Sequence, residues 1–180
     1  MSPEQADEAY EEEVTALYQQ FWQKVEAFLR NVGCDSGLAE EITRDAFLAA
    51  RRNWARVRGF DWPAGYVFKV ARNERCKRQK AHDDRARDLH PQPQDLATDE
   101  GGDFTQEVVD RIVIHRALLQ LPPTLREAVV LRHVADLSEA ATAEIMGVKQ
   151  GSVKRYAFEG RRRLYELLRE FQPEEGRRSG

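Results

Sequence analysis

The stretch that decides the fold is LSEAATAEIMGVKQGSVKRYAFEGRRRLYELL, residues 137–168. Ser138 can accept a hydrogen bond from the free amides at a helix start, and the alanines after it leave room for a second helix to approach closely. Gly147 is the residue type that ends a helix or forms a turn. Apolar residues then resume helical spacing beside several cations. The stretch therefore predicts two short helices joined by a tight turn.

A short helix pair of this kind is a helix-turn-helix, whose second helix meets base edges in the major groove with its N-terminal residues. Here those residues are Gln150, Gly151 and Ser152. Cations on the other faces of the helix can meet phosphates while its apolar face stays docked. They are Lys149, Lys154, Arg155, Arg161, Arg162 and Arg163. A solvated surface helix explains a basic helix alone, but the preceding Ser, Ala and Gly positions favour the motif.

Hydrophobic periodicity predicts an all-α chain with two small helical domains joined by a flexible acidic linker. The linker is rich in Pro, Gly and acids, without an apolar period, and should be extended and self-repelling. The predicted division is an acidic tail at 1–13, a first domain at 14–87, the linker at 88–104, a second domain at 105–172 and a mobile tail at 173–180.

Helix starts within these domains are predicted from capping residues. An apolar stripe begins at Val14 and marks a long first helix. Asp35 or Ser36 can cap a second helix that extends to Trp54, and Asp61 with Pro63 can open a third. In the second domain, a helix of residues 105–120 precedes another that begins at two prolines.

The net charge of −3 hides a segregation of charge along the chain. Residues 51–87 carry twelve Lys or Arg and four Asp or Glu, an excess that favours phosphate contact. At the junction of the second and third helices, Trp54, Phe60 and Trp62 alternate with arginines. Such aromatics can stack on unpaired bases, because every base has a flat face. A small core cluster explains the same aromatics, and both interpretations stay open.

Several classes of protein are disfavoured by the sequence. The opening MSPEQADEAYEEE lacks the cations and apolar run of a secretion signal, and no later run approaches membrane-spanning length, so we expect a cytoplasmic protein without membrane insertion. Two distant cysteines and four histidines lack ligand spacing, which predicts no disulfide framework, metal site or cofactor. Without a catalytic motif, an enzyme is the least expected class.

The order of the modules resembles a bacterial RNA polymerase sigma factor of the extracytoplasmic-function (ECF) group, in the sigma-70 family. The second helix has residues 39–47 where the family has a motif like A-E-D-I-x-Q-E-x-F, with Arg44 at the usual Gln. The third helix matches the family's W-L-x-x-I-A-R-N with Tyr66, Val67, Val70, Ala71, Arg72 and Asn73. The second domain matches L-P-x-x-x-R-x-x-x-x-L with Leu121, Pro122, Arg126 and Leu131, and G-T-V-K with residues 151–154.

The resemblance implies three sets of contact residues. The set for core polymerase, at the clamp helices of its largest subunit, is Glu40, Glu41, Arg44, Asp45, Leu48 and Arg51. The set for the minus-ten element is Arg56, Arg58, Phe60, Trp62, Arg72, Asn73, Arg75 and Arg78. The set for the minus-thirty-five element is Gln150, Gly151, Ser152, Lys154, Arg155, Arg161 and Arg162.

The function implied by the resemblance is promoter recognition without covalent chemistry. The expected partners are core RNA polymerase, including its flap, promoter DNA as duplex and as melted nontemplate strand, and an anti-sigma factor. Two alternatives stay open. One is a stand-alone helix-turn-helix regulator, and the other is a diverged sigma-like protein that sequesters polymerase or an anti-sigma factor. At Thr142, Tyr156 and Glu159 the chain departs from the residues usual in the family.

Overall fold

The computed structural model describes residues 3–88 and 106–171. Its α-helices are α1 (Pro3–Asn31), α2 (Ser36–Arg52), α3 (Trp54–Val57), α4 (Pro63–Asp88), α5 (Gln106–Gln120), α6 (Pro123–Val129), α7 (Glu139–Met146) and α8 (Gln150–Phe171). A π-helical turn, Val130–Val134, continues α6. The all-α prediction is confirmed. The predicted linker, apart from its first residue, and the predicted tail at 173–180 lie outside the described residues.

Local chemistry sets most of the helix ends. The Asp35 carboxylate accepts from the Leu38 amide at 2.9 Å at the start of α2, and the Ser138 hydroxyl accepts from the Ala141 amide at 3.1 Å at the start of α7. Gly147 ends α7 in the left-handed region, at φ 68°, which glycine adopts without steric cost. These three capping predictions are confirmed.

Two boundaries differ from the sequence prediction. Residues 3–13 form the first turns of α1, where an acidic tail is predicted. The second helix ends at Arg52, because the Asn53 side chain donates to the Ala49 carbonyl at 2.8 Å and gives the backbone an alternative to continuing the helix. Trp54 then begins the separate helix α3 and is buried in the core.

The helices form two halves, α1–α4 and α5–α8, and in this structure the halves pack against each other. One continuous cluster of buried residues extends from Phe28 and Phe68 in the first half to Leu118 and Leu131 in the second. Contacts across the boundary join α1 to the π-helical turn and α4 to α7. Among the described residues, no helix combines the length and apolar character needed to cross a bilayer.

The second half depends on a close crossing of α6 and α8 at Gly160. A Cβ atom at this position would lie 2.5 Å from Cγ2 of Val129 and 3.1 Å from the Leu125 carbonyl oxygen. Val153, farther along the same face of α8, is fully buried. This contact fixes which face of α8 points away from the protein.

Replacing Thr142 with valine is expected to stabilise the protein. Thr142 lies fully buried on α7, and its hydroxyl has no hydrogen-bond partner among the described residues. An unsatisfied buried polar group costs about 1–3 kcal/mol, and valine has nearly the same shape. We expect Thr142→Val to raise the free energy of unfolding by about 1 kcal/mol, measured by urea denaturation. A lower stability would show that the hydroxyl is bonded in solution.

Candidate nucleic-acid interface

The outer face of α8 presents the residues of the minus-thirty-five set. Val153 and Ala157 are buried on the opposite face, which packs against the rest of the second half. The members of the set are exposed, except for half-buried Ser152: Gln150, Gly151, Lys154, Arg155, Arg161 and Arg162. The face is therefore positively charged, accessible and held in place from behind.

A groove of about 420 Å³ runs beside this face and extends it to the end of α6. Arg132 and His133 line one side, and Arg155, Phe158 and Arg161 line the other. Phe158 is 64% exposed although it is large and apolar. Burial, together with Arg161 and Arg132, lowers the pKa of His133 below its usual value. The positive charge of the groove therefore comes from its arginines and Lys154, and Glu139 also lines it.

The aromatic residues between α2 and α4 divide into two groups. Trp54 is buried, as the core interpretation predicts. Phe60 is 38% exposed, with the Arg56 guanidinium 5.8 Å from its ring centre. Trp62 is half-buried and lies so close to Gly65 that a Cβ there would be 2.6 Å from the indole. Phe60 is therefore accessible to a stacking partner. Trp62 is only partly accessible, because it also stacks on Phe68 with ring centres 6.1 Å apart, and Trp54 is not accessible.

Arg72 and Arg75 of α4 both face a carboxylate in this structure. The guanidinium of Arg72 donates to both carboxylate oxygens of Glu127, with N–O distances of 2.6 and 3.2 Å. Arg75 approaches the same carboxylate to 4.0 Å. The hydrogen bond to Glu127 raises the pKa of Arg72 above its ordinary value. Asn73, between them, is exposed.

The exposed face of α2 carries all six residues of the core-polymerase set. Arg44 bonds Glu40 at 2.5 Å within the helix. Arg78 of α4 contacts Glu41 at 2.9 Å and Asp45 at 3.2 Å, which ties α4 to this face. Leu48 is 40% exposed. Because the ion pairs are exposed, each contributes little to stability, and the face stays available to a partner.

Sequence reasoning missed several residues that organise these surfaces. Glu11 pairs with Arg51 at 2.7 Å, and Glu13 pairs with Arg58 at 2.8 Å and accepts from the Trp54 indole at 2.9 Å. The acidic start of α1 therefore lies against the α2–α3 junction. Glu127 was also missed, although its position inside the apolar run LREAVVL is a signal, since a buried charge needs a partner.

Comparisons with known proteins give the family. Residues 111–164 match the family described as Sigma-70, region 4. The chain is 31% identical over 134 residues to the ECF RNA polymerase sigma factor SigM of Mycobacterium tuberculosis, an alignment that covers 72% of this chain and 64% of SigM. It is 28% identical over 174 residues to the RNA polymerase sigma factor CarQ of Myxococcus xanthus, covering 96% of each chain.

By sequence, this chain is similar to sigma factors, among them a member of the ECF group. Its fold is similar to that of the sigma factor RpoE from Bartonella quintana, solved in complex with the anti-sigma factor NepR. The TM-score is 0.66 at 21% identity, covering 86% of this chain and 96% of that one. The sigma factor fold predicted from the resemblance is thus confirmed.

The match to Sigma-70, region 4 falls within α5–α8, and Arg126 has a clear structural role there. Its guanidinium donates to the carbonyls of Leu118 and Leu121 at 2.9 Å, near the end of α5 and just beyond it, where carbonyls lack helical partners of their own. It also donates to the Val32 carbonyl at 3.3 Å, in the first half. Burial lowers the pKa of Arg126 below its usual value. Arg126 is a structural residue of the ECF sigma fold in this chain.

Proposed function

We propose that this chain directs core RNA polymerase to specific promoters and initiates transcription there. The observation that carries the proposal is the uncovered basic face of α8, whose opposite face is fixed by its packing at Gly160 and Val153. A helix presented in this way can enter the major groove at the minus-thirty-five element while its cations meet phosphates.

The first half is proposed to read the minus-ten element and stabilise melted DNA. Phe60 and Trp62 supply accessible ring surface beside Arg56 and Arg58, and Asn73 is exposed on α4. Unpaired bases stack on such aromatics, and arginines track the backbone. Joining two DNA readers in one chain raises the effective concentration of the second contact once the first has formed.

The exposed face of α2 is the proposed site for the clamp helices of core polymerase. It mixes carboxylates and arginines around a half-exposed leucine, Leu48, and a polar surface with an apolar centre is the usual anatomy of a protein interface. We also propose an anti-sigma partner, because the similar RpoE of Bartonella quintana was solved in complex with one.

Replacing Leu48 with aspartate is expected to weaken binding to core polymerase by at least about tenfold, because a charge would be buried at the centre of the interface. Folding should be unaffected, since the side chain is already 40% exposed. The measurement is a binding titration of labelled protein with core enzyme. Val109→Asp is the matched control, because Val109 is equally accessible, at 38%, but lies on α5. Equal affinity of both variants would remove α2 from the proposed interface.

The proposed function is tested by transcription from a random promoter library with core enzyme, with and without the purified chain. Transcripts that start at defined positions only when the chain is present would support it. Tight binding of the chain alone to a duplex, without such transcripts, would favour a stand-alone regulator. Binding to core enzyme without promoter-dependent product would favour a protein that sequesters polymerase.

A further inference from the structure

Glu127 is a nearly buried carboxylate at the boundary between the two halves. It lies on α6, its residue is 5% exposed, and its neighbours Ala128 and Val129 belong to the core. A charge is costly in such a place unless it is paired and hydrogen-bonded. Its partner comes from the other half of the chain, 55 positions away, and the contact is bidentate.

Arg72, the partner of Glu127, belongs to the set proposed to contact the minus-ten element. A planar guanidinium binds a carboxylate and a phosphate with the same two-pronged geometry. Its Nε and Nη2 donors cannot serve both acceptors at once. The second cation, Arg75, lies 4.0 Å from the same carboxylate and its side chain is only 15% exposed. Both arginines therefore face the Glu127 carboxylate, in the place where bound DNA would supply a phosphate.

Other contacts hold the same boundary closed. Lys69 on α4 lies 3.9 Å from Glu144 on α7, and the Arg126 guanidinium reaches the Val32 carbonyl. The buried apolar cluster also continues from one half into the other. The boundary between the two halves therefore combines buried apolar residues with a bidentate ion pair and further polar contacts, as protein interfaces do.

The closure affects the two DNA faces unequally. Arg72 and Arg75 are occupied or largely covered, whereas Lys154 and Arg155 on α8 are exposed. The proposed duplex-binding face of α8 is therefore accessible, whereas the proposed strand-binding face of α4 is partly covered.

We infer that Glu127 acts as an internal substitute for a DNA phosphate, and that its bond to Arg72 holds the free chain in a closed state that cannot engage melted DNA. The inference rests on the proposed function and adds a regulatory step to it. The closed state must open before Arg72 and Arg75 can bind a single strand. The apparent affinity for that strand is therefore the affinity of the open state multiplied by the fraction of molecules that are open.

The first test measures binding of the full chain to a fluorescein-labelled single-stranded DNA oligonucleotide by fluorescence anisotropy. Glu127→Gln keeps the shape of the side chain but loses the charge, and it should bind the strand about tenfold tighter or more, since charge-assisted bidentate bonds are among the strong ones. Glu166→Gln is the control, because it makes the same change in net charge at an exposed position of α8. Equal gains in both variants would overturn the inference.

The second test measures the size of the DNA-free protein by small-angle X-ray scattering. Arg72→Glu should open the halves and increase the radius of gyration, and the exchanged pair Arg72→Glu with Glu127→Arg should close them again. Restoration by the exchange separates a broken ion pair from a damaged fold. An unchanged radius in Arg72→Glu would overturn the inference. If the radius of gyration of Glu127→Gln increased but no variant bound the single strand, the result would contradict the proposed function and support the closed state held by Glu127 and Arg72.

A third test locks the boundary. Cys76, the exposed native cysteine, is first replaced by serine. Cysteines are then placed at Lys69 and Glu144, whose side chains are 49% and 66% exposed, and are joined with a cleavable crosslinker. The locked protein should lose single-strand binding and regain it on cleavage. Undiminished binding in the locked form would overturn the inference.

Discussion

Replacing Gly160 with alanine is expected to lower the free energy of unfolding of the second half by about 1–3 kcal/mol, the usual cost of overpacking a tight core contact. The added methyl group would lie 2.5 Å from Cγ2 of Val129 and 3.1 Å from the Leu125 carbonyl oxygen. The valine side chain can rotate away, but the carbonyl belongs to α6 and moves only with the helix. The two helices must therefore separate, and the gain in helix propensity from alanine does not compensate.

The control for this prediction is Gly151→Ala on the same helix. A Cβ at Gly151 would have no neighbour within 4 Å, so only the favourable effect of alanine on helix stability remains, at most about 1 kcal/mol. Denaturation with urea, monitored by circular dichroism, compares both variants with the original protein. If Gly160→Ala were as stable as Gly151→Ala, the close crossing of α6 and α8 would not exist in solution.

Removing the cations Lys154 and Arg155 together should weaken duplex binding about a hundredfold at moderate salt, because two phosphate contacts are lost. It should also reduce the slope of log K against log salt by about 1.8, because each lost phosphate contact removes about 0.9. Both side chains are exposed on the outer face of α8, so the fold should persist. Anisotropy titrations of one labelled duplex at several salt concentrations measure affinity and slope together.

The matched control is Arg163→Ala, compared with Lys154→Ala alone. Arg163 lies on the same helix, but its guanidinium pairs with Glu159 at 2.7 Å. Its removal should leave the salt slope nearly unchanged, whereas Lys154→Ala should lower it by about 0.9. A similar loss of slope in both variants would mean that α8 attracts DNA only through its total charge.

The parts of the fold that follow from short-range chemistry could be predicted from the sequence. Asp35, Ser138 and Gly147 each act within three or four residues of their own positions, so the pattern of residue types is sufficient to place the helix ends. The exposed face of α8 is predictable for the same reason. Its cations and its buried residues alternate with the period of a helix, and the period determines which residues share a face.

The parts that could not be predicted depend on contacts between distant positions. No local pattern specifies that Glu127 meets Arg72, or that Glu13 meets Trp54 and Arg58, because these partners are 41 to 55 positions apart. The break at Asn53 was missed because a single side-chain hydrogen bond competes there with continuation of the helix. The packing of the two halves was missed because periodicity identifies a buried face without identifying what buries it.

The uncovered face of α8 and the occupied Arg72 and Arg75 of α4 separate two steps of the proposed binding to DNA, the encounter with a duplex and the engagement of an unwound strand. Encounter with a duplex depends on exposed positive charge, so its rate should fall steeply as ionic strength rises. Engagement of an unwound site requires in addition that the Glu127 carboxylate releases Arg72, and ions screen this partly desolvated pair less. Ionic strength should therefore change the rate of encounter with a duplex much more than it changes the opening step that frees Arg72.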